Sequence, residues 1–249
     1  MTTRFANLLI DTADALAEAG DADAAWQVIN RVGTRLGARS VNAGVFLTGT
    51  PTIAWMRSTM NPDWLEEYAG DALHEIDPLL KASMAGDPPR LYDVGFQQQL
   101  GPPESRYRQL HQRMLSYGYH YMLTHSWQHG PENKCLVLGC EDDPTHLFGP
   151  GTARAFSAVA AMLSCRLEPP GAGTTDGRAF GSSWQRLEPV EAEILSRLAQ
   201  GMTEDDIAEH VGLSEADVLR VIARAAGKMQ ATSRDEALAL AVLRGLLTL

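Results

Sequence analysis

The 249-residue chain is short of positive charge: 21 Lys and Arg stand against 31 Asp and Glu, a formal balance of −10. An acidic chain has no general attraction for nucleic acid or anionic membrane, so any contact with DNA has to be made by a local surface. Cysteine is scarce as well. Cys135, Cys140 and Cys165 lack the close paired spacing of a structural zinc site and accompany no secretory signal, which points to a reduced, cytoplasmic setting and to small core residues. No apolar run reaches about 18 residues, and Asp11 interrupts the apolar N-terminal segment, so neither membrane spanning nor export is expected. Catalytic motifs are missing too. There is no Gly-rich phosphate loop and no Gly-x-Ser-x-Gly elbow. Of seven histidines, only His125 and His129 stand four apart, on an expected strand and turn rather than on a helix that would aim both at one metal. Enzyme chemistry, a metal site and a cofactor are all disfavoured.

What is present suffices for two domains. Hydrophobic residues make up 45% and charged residues 21% of the chain, enough for a sizeable core. The stretch 169–183 is rich in Pro, Gly, Ser and Thr and suits a flexible connector between domains at 1–168 and 184–249. In the first domain, helical periodicity covers roughly Phe5 to Ala19 and Ala22 to Leu36, followed by strands at Arg39 to Leu47 and Thr52 to Arg57. Asn61 caps and Pro62 opens a short helix, Pro78 opens another, and a longer one is expected from Glu104 to Tyr117. His120 to Trp127 and Lys134 to Cys140 read as a hairpin, before a last helix near Thr152 to Leu167. The class is α+β, an α-β-α sandwich with helices on both sides of a mainly antiparallel sheet.

The second domain reads as four helices. Pro189 suits the first turn of one, and Gly201 a left-handed stop. Thr203 with Asp206, Ser214 with Asp217 and Ser233 with Glu236 each set a capping hydroxyl three residues ahead of a carboxylate, marking three further starts. Only a tight turn fits between Val211 and Ser214, as in a helix-turn-helix, so Ser214 to Met229 is the expected recognition helix. Val218, Ile222, Ala225 and Met229 share one side of it at 100° per residue, with Arg220, Arg224 and Lys228 in a stripe opposite. A basic stripe is what phosphate contact needs, although a solvated helix face has the same appearance. The domain holds seven Lys or Arg against eleven Asp or Glu, and Asp217 lies on the stripe itself.

Leu187, Glu191, Glu193, Ile194, Leu195, Gly201, Ile207, Ala208, Leu213, Ser214, Val218, Lys228, Ser233, Arg234 and Ala237 resemble, in order and spacing, the DNA-binding domain of LuxR-type transcription regulators. The resemblance implies a four-helix fold that contacts double-stranded DNA through Arg220, Arg224, Lys228 and Arg234. Asp217, Leu219 and Val221 depart from the Thr, Lys and His or Tyr that such regulators carry on the contact face.

In the first domain Trp64 and Tyr68 stand four apart, on one face of the helix after Pro62, and Asp77 precedes Pro78. Taken singly, an aromatic pair at this spacing is usually core, and Asp before Pro is usually a cap. Together they resemble the signature of the LuxR autoinducer-binding domain, which takes an acyl-homoserine lactone. That resemblance implies that the Trp64 indole donates to the lactone carbonyl, Tyr68 donates to the acyl amide carbonyl, and Asp77 accepts the amide N–H. Tyr92 stands where the family has Trp, Met60 where many members have Tyr, and Tyr121 where it keeps a second Gly after Gly118. An inward Tyr121 would shorten the cavity and favour a short, aromatic or otherwise different amide. The whole implies a cytoplasmic, ligand-responsive homodimer on a palindromic operator. The acidic contact face suggests an alternative, an anti-activator that pairs with an active relative.

Overall fold

The computed structural model describes residues 3–148, 151–170 and 185–247. The chain divides into two compact units, Met1–Phe180 and Gly181–Leu249. From residue 171 onward the expected connector lies outside the described residues.

In the first unit the order is α1 (Thr3–Glu18), α2 (Ala22–Arg35), β1 (Ala38–Leu47), β2 (Ile53–Ser58) and α3 (Pro62–Gly70). A 3-10 turn (Leu73–Glu75), α4 (Pro78–Met84), β3 (Leu91–Asp93), α5 (Val94–Leu100) and α6 (Arg106–Ser116) follow. The unit closes with β4 (Tyr121–His129), β5 (Glu132–Cys140), α7 (Thr145–Phe148) and α8 (Thr152–Ser164). The five strands form one sheet in the order β2-β1-β5-β4-β3, with every neighbouring pair antiparallel. The expected sandwich is present. Not anticipated were β3, α5 and α7, each too short to display a period. The helix expected from Glu104 begins later because Glu104 adopts φ 63°, and Ser105, whose hydroxyl accepts from the Arg108 N–H, is the true cap.

The two faces of the sheet follow from strand alternation. Helix α2 packs on the face carrying Val41 and Leu138. It approaches so closely that a Cβ on Gly33 would meet the Val41 Cγ2 at 2.5 Å. The opposite face carries Met122 and Val137, against Trp64 and Leu65 of α3, Leu79 of α4 and Leu110 and Met114 of α6. Three hydrogen bonds tie these helices to the sheet and the segment entering it. The Asn61 N–H at the start of α3 donates to the Tyr119 hydroxyl at 2.7 Å, and the buried Asn133 amide donates to the Ser83 and Met84 carbonyls at 2.8 and 2.9 Å at the end of α4.

In the second unit the helices are α9 (Pro189–Ala199), α10 (Glu204–Val211), α11 (Glu215–Met229) and α12 (Arg234–Leu243). Thr203, Ser214 and Ser233 cap α10, α11 and α12, each hydroxyl accepting the backbone N–H three residues on. Gly212 ends α10 at φ 69°, the left-handed conformation that turns the chain into α11. Ile194, Leu195, Ile207, Val218, Ala225, Met229, Ala237 and Leu240 make its core.

Cys135 and Cys140 are buried, as expected, and burial pushes both thiols up to about 11. Cys165 differs. It follows the last turn of α8 and is exposed, because the helix ends one residue before it.

Candidate functional site

Helix α3 exists because Asn61 accepts the Asp63 N–H at 2.8 Å and Pro62 presets the first turn. At four residues apart, Trp64 and Tyr68 then share a face, their rings 5.4 Å apart and tilted by 55°. The 3-10 turn reverses the chain and brings Asp77 back beneath them. The Tyr68 hydroxyl donates to the Asp77 Oδ2 at 2.8 Å, while Oδ1 accepts the Leu79 and Leu80 N–H at 2.8 and 3.2 Å. Asp77 is therefore a helix cap and the acceptor of the Tyr68 hydroxyl at once. Burial, the charge of Asp77 and the bond to it raise the Tyr68 pKa, keeping the phenol protonated.

Trp64 is 2% exposed, yet its indole N–H has no acceptor among the described residues. Tyr117 covers the other side of the indole, with ring centres 5.6 Å apart.

Tyr92 lies in the same buried cluster as Trp64. Its hydroxyl is 2.6 Å from the His111 Nε2, and the His111 Nδ1 is 2.7 Å from the Tyr107 carbonyl oxygen. A carbonyl only accepts, so Nδ1 carries the proton. Burial lowers the His111 pKa against the opposing pull of the Tyr107 carbonyl and of Asp77, leaving a neutral ring whose Nε2 accepts from Tyr92. Burial raises the Tyr92 pKa, with Tyr107 and Asp77 adding to it. The charge of Asp77 thus reaches both members of the pair. His111, fully buried, is a partner of Tyr92 that the sequence reading passed over. Its only signal was the i, i+4 spacing to Tyr107 on α6.

Tyr121 does not join this group. It pairs with Asp93 and Cys140 across the sheet, whereas Met122, its neighbour, pairs with Tyr92 and belongs to the Trp64 cluster. Adjacent strand residues face opposite sides, so Tyr121 lies on the α2 and α8 face and cannot shorten a cavity beside Trp64. The spacing to Gly118 matched; the strand register excluded it.

On α11 the expected core positions Val218, Ile222, Ala225 and Met229 are all buried. Val221 is buried too, rather than on a contact face. The supposed basic stripe drifts by about 40° every four residues, which carries Lys228 toward the core edge. Its side chain is 17% exposed and its ammonium donates to the Glu191 Oε2 at 2.8 Å. Arg224 donates from Nε to the other Glu191 oxygen at 2.7 Å. Burial alone would raise the Glu191 pKa, but hydrogen bonds from Lys228, Arg224 and the Glu188 N–H hold it below the usual carboxylate range. Glu191, known from the sequence only as a matched position, is the hub of α9 and α11.

The remaining cations are also engaged. Arg220 pairs with Asp217 three residues before it, and Arg234 pairs with Glu204 of α10 and with Asp235. Leu219 is 49% exposed between these charges.

Four helices with a capped turn between α10 and α11 form a helix-turn-helix, and the sequence of residues 185–241 matches the family described as bacterial regulatory proteins, luxR family. Residues 185–241 are a luxR-type regulatory domain. The family is one of regulators rather than enzymes. No curated relative matches the chain. Among solved structures, it is similar to the N-acylhomoserine lactone dependent LuxR family transcription factor CepR2 from Burkholderia cenocepacia, with 20% identity, a TM-score of 0.51, and 66% of this chain and 93% of that one covered. SdiA from Escherichia coli is similar over 98% of each chain at 15% identity, with a TM-score of 0.47. The likeness to CepR2 is one of fold. In the luxR-type domain the expected contact cations Arg220, Arg224, Lys228 and Arg234 are each paired with a carboxylate of the same unit.

Proposed function

We propose that this protein is a ligand-responsive transcription regulator of the LuxR type. Its first unit binds an acyl-homoserine lactone or a related small amide, and its luxR-type domain contacts double-stranded DNA. The observation that carries the ligand reading is the Tyr68–Asp77 hydrogen bond beside the Trp64 ring, whose indole N–H is a further donor. A carbonyl reaching Trp64 gives that donor its acceptor. The Tyr68 hydroxyl then moves from Asp77 to the acyl amide carbonyl, and the freed Asp77 Oδ2 accepts the amide N–H. One internal hydrogen bond is exchanged for three to ligand, without any buried group losing its partner. Ligand that binds only the folded form stabilises it by about 2.7 kcal/mol at a hundredfold excess over Kd. We further propose that the working species is a cytoplasmic homodimer that sets two recognition helices on a palindromic site. Among the described residues no helix is long and apolar enough to cross a membrane.

A thermal-shift series with acyl-homoserine lactones of graded tail length tests the ligand step. Stabilisation by at least one tail is expected; normal melting with no shift for any of them rejects the lactone class.

A second reading rests on a separate observation. Arg220, Arg224, Lys228 and Arg234 are each paired with a carboxylate of their own unit, which leaves little free charge to neutralise phosphates. In this reading the protein is an anti-activator that acts by forming mixed dimers with an active relative. Gel mobility shift on random-sequence DNA at low salt separates the two. Salt-sensitive binding supports the regulator; its absence, with an intact fold, supports the anti-activator.

A further inference from the structure

The solvent side of α11 carries little that could read a base pair. Base edges are read by side chains with free donors or acceptors, and the two exposed arginines of this helix already hold Asp217 and Glu191. What is left uncommitted is small or apolar. At 100° per residue the exposed Ala216, Ala223 and Gly227 fall in one line, and Leu219, 49% exposed, runs along its border. Leu213, in the turn just before α11, is 38% exposed as well. One exposed leucine is ordinary. Two of them with a line of small residues leave room for a second helix to approach to the 8–10 Å between axes that is typical of packed helices.

Charge selects the occupant. Asp205 and Glu209 of α10 and Glu215 of α11 are exposed and have no ion pair among the described residues, whereas Arg220, Arg224 and Lys228 are each paired. The free charge of the two helices is therefore acidic. A second copy of this face would set acid against acid, and a DNA phosphate meets the same repulsion. A cationic helix with an apolar stripe answers both the leucines and the free carboxylates. We propose that the exposed face of α10 and α11 docks a basic amphipathic helix of a partner protein in place of DNA. The inference rests on the anti-activator reading above, to which it adds the docking surface and the chemistry of the partner.

Fluorescence anisotropy of the full chain with a labelled amphipathic peptide of leucine and lysine tests it, beside a peptide of the same pattern built from leucine and glutamate. The leucine–lysine peptide is expected to bind, more weakly as salt is added, and the leucine–glutamate peptide is not. Leu219→Ser and Glu215→Lys, both at exposed positions and checked for folding by circular dichroism, should each weaken binding about fivefold. Glu18→Lys makes the same charge change on α1 and should weaken it by less than about twofold. An equal loss in Glu18→Lys means that the peptide answers only to net charge, which overturns the docking surface. So does equal binding of the two peptides, or full binding to Leu219→Ser and Glu215→Lys. Gel mobility shift on the same protein separates the two levels of the argument. Salt-sensitive binding of random-sequence DNA overturns the anti-activator reading and this inference with it, whereas a chain that binds neither DNA nor peptide loses the docking surface alone.

Discussion

The two contact regions treat their polar groups in opposite ways. Beside Trp64, the Tyr68 hydroxyl and the Asp77 carboxylate hold a bond to each other, which the proposed ligand would exchange. On α11 and its surroundings, each expected DNA-contacting cation already has a carboxylate. The difference lies in solvation. A hydrogen bond between side chains sheltered from water is strengthened by the low dielectric around it, whereas exposed charges gain little by pairing locally and keep their affinity for water. Glu191 stands apart from the other carboxylates because it is fully buried. Its two cations are structural ties between α9 and α11 before they are anything else.

Glu191→Ala is the strongest way to break the comparison. It leaves Lys228 without its buried partner and removes the acceptor for the Glu188 N–H, so destabilisation of the second unit by about 3 kcal/mol is expected in urea unfolding. A change below about 1 kcal/mol would mean that the exposed pairs and this one are alike. Acid sharpens the contrast within the first unit. Burial lowers the His111 pKa in the folded chain, so the unfolded chain takes up the proton first as pH falls. Stability from neutral His111 is complete above the ordinary histidine range and is lost as pH drops below about 6.5. Melting temperatures from neutral pH downward should show that loss, and His111→Gln should reduce it, leaving the share of His125, whose pKa burial also lowers.

A smaller effect is expected from Trp64→Phe, which deletes the indole N–H. Ligand affinity measured by calorimetry should fall by about 1 kcal/mol, with the fold retained. An unchanged affinity would make the indole a core residue only. Smallest of all is the surface of α11. Leu219→Lys should leave stability within about 0.5 kcal/mol, because the side chain is exposed, while steepening the salt dependence of DNA binding by about one ion. Arg220→Ala, at a side chain 72% exposed, should not alter stability measurably. Unfolding in either variant would show that this face is packed rather than solvated.

Much of the molecule was legible before any coordinates. Helix starts at Pro62, Pro78, Pro189, Thr203, Ser214 and Ser233 were readable because a cap is a bond between residues two or three apart, and the i, i+4 pairing of Trp64 with Tyr68 is fixed once a helix forms. The hairpin of β4 and β5 was visible from its alternation. Less visible were β3 and α5, where three and seven residues are too few to carry a period. The family signature pointed to Trp64, Tyr68 and Asp77, but not to His111, whose role depends on Tyr92 lying on a strand across from α6.

Sequence alone determined the local bonds: the caps, the turn before α11, the spacing that puts an indole and a phenol on one helical face, and the acidic balance. Tertiary structure decided the rest. It turned Tyr121 away through the register of β4, rotated Lys228 onto a buried carboxylate, and joined Tyr92 to His111. Each of these depends on residues distant in sequence meeting in a dry interior, where a hydrogen bond or a charge counts for far more than any propensity read along the chain.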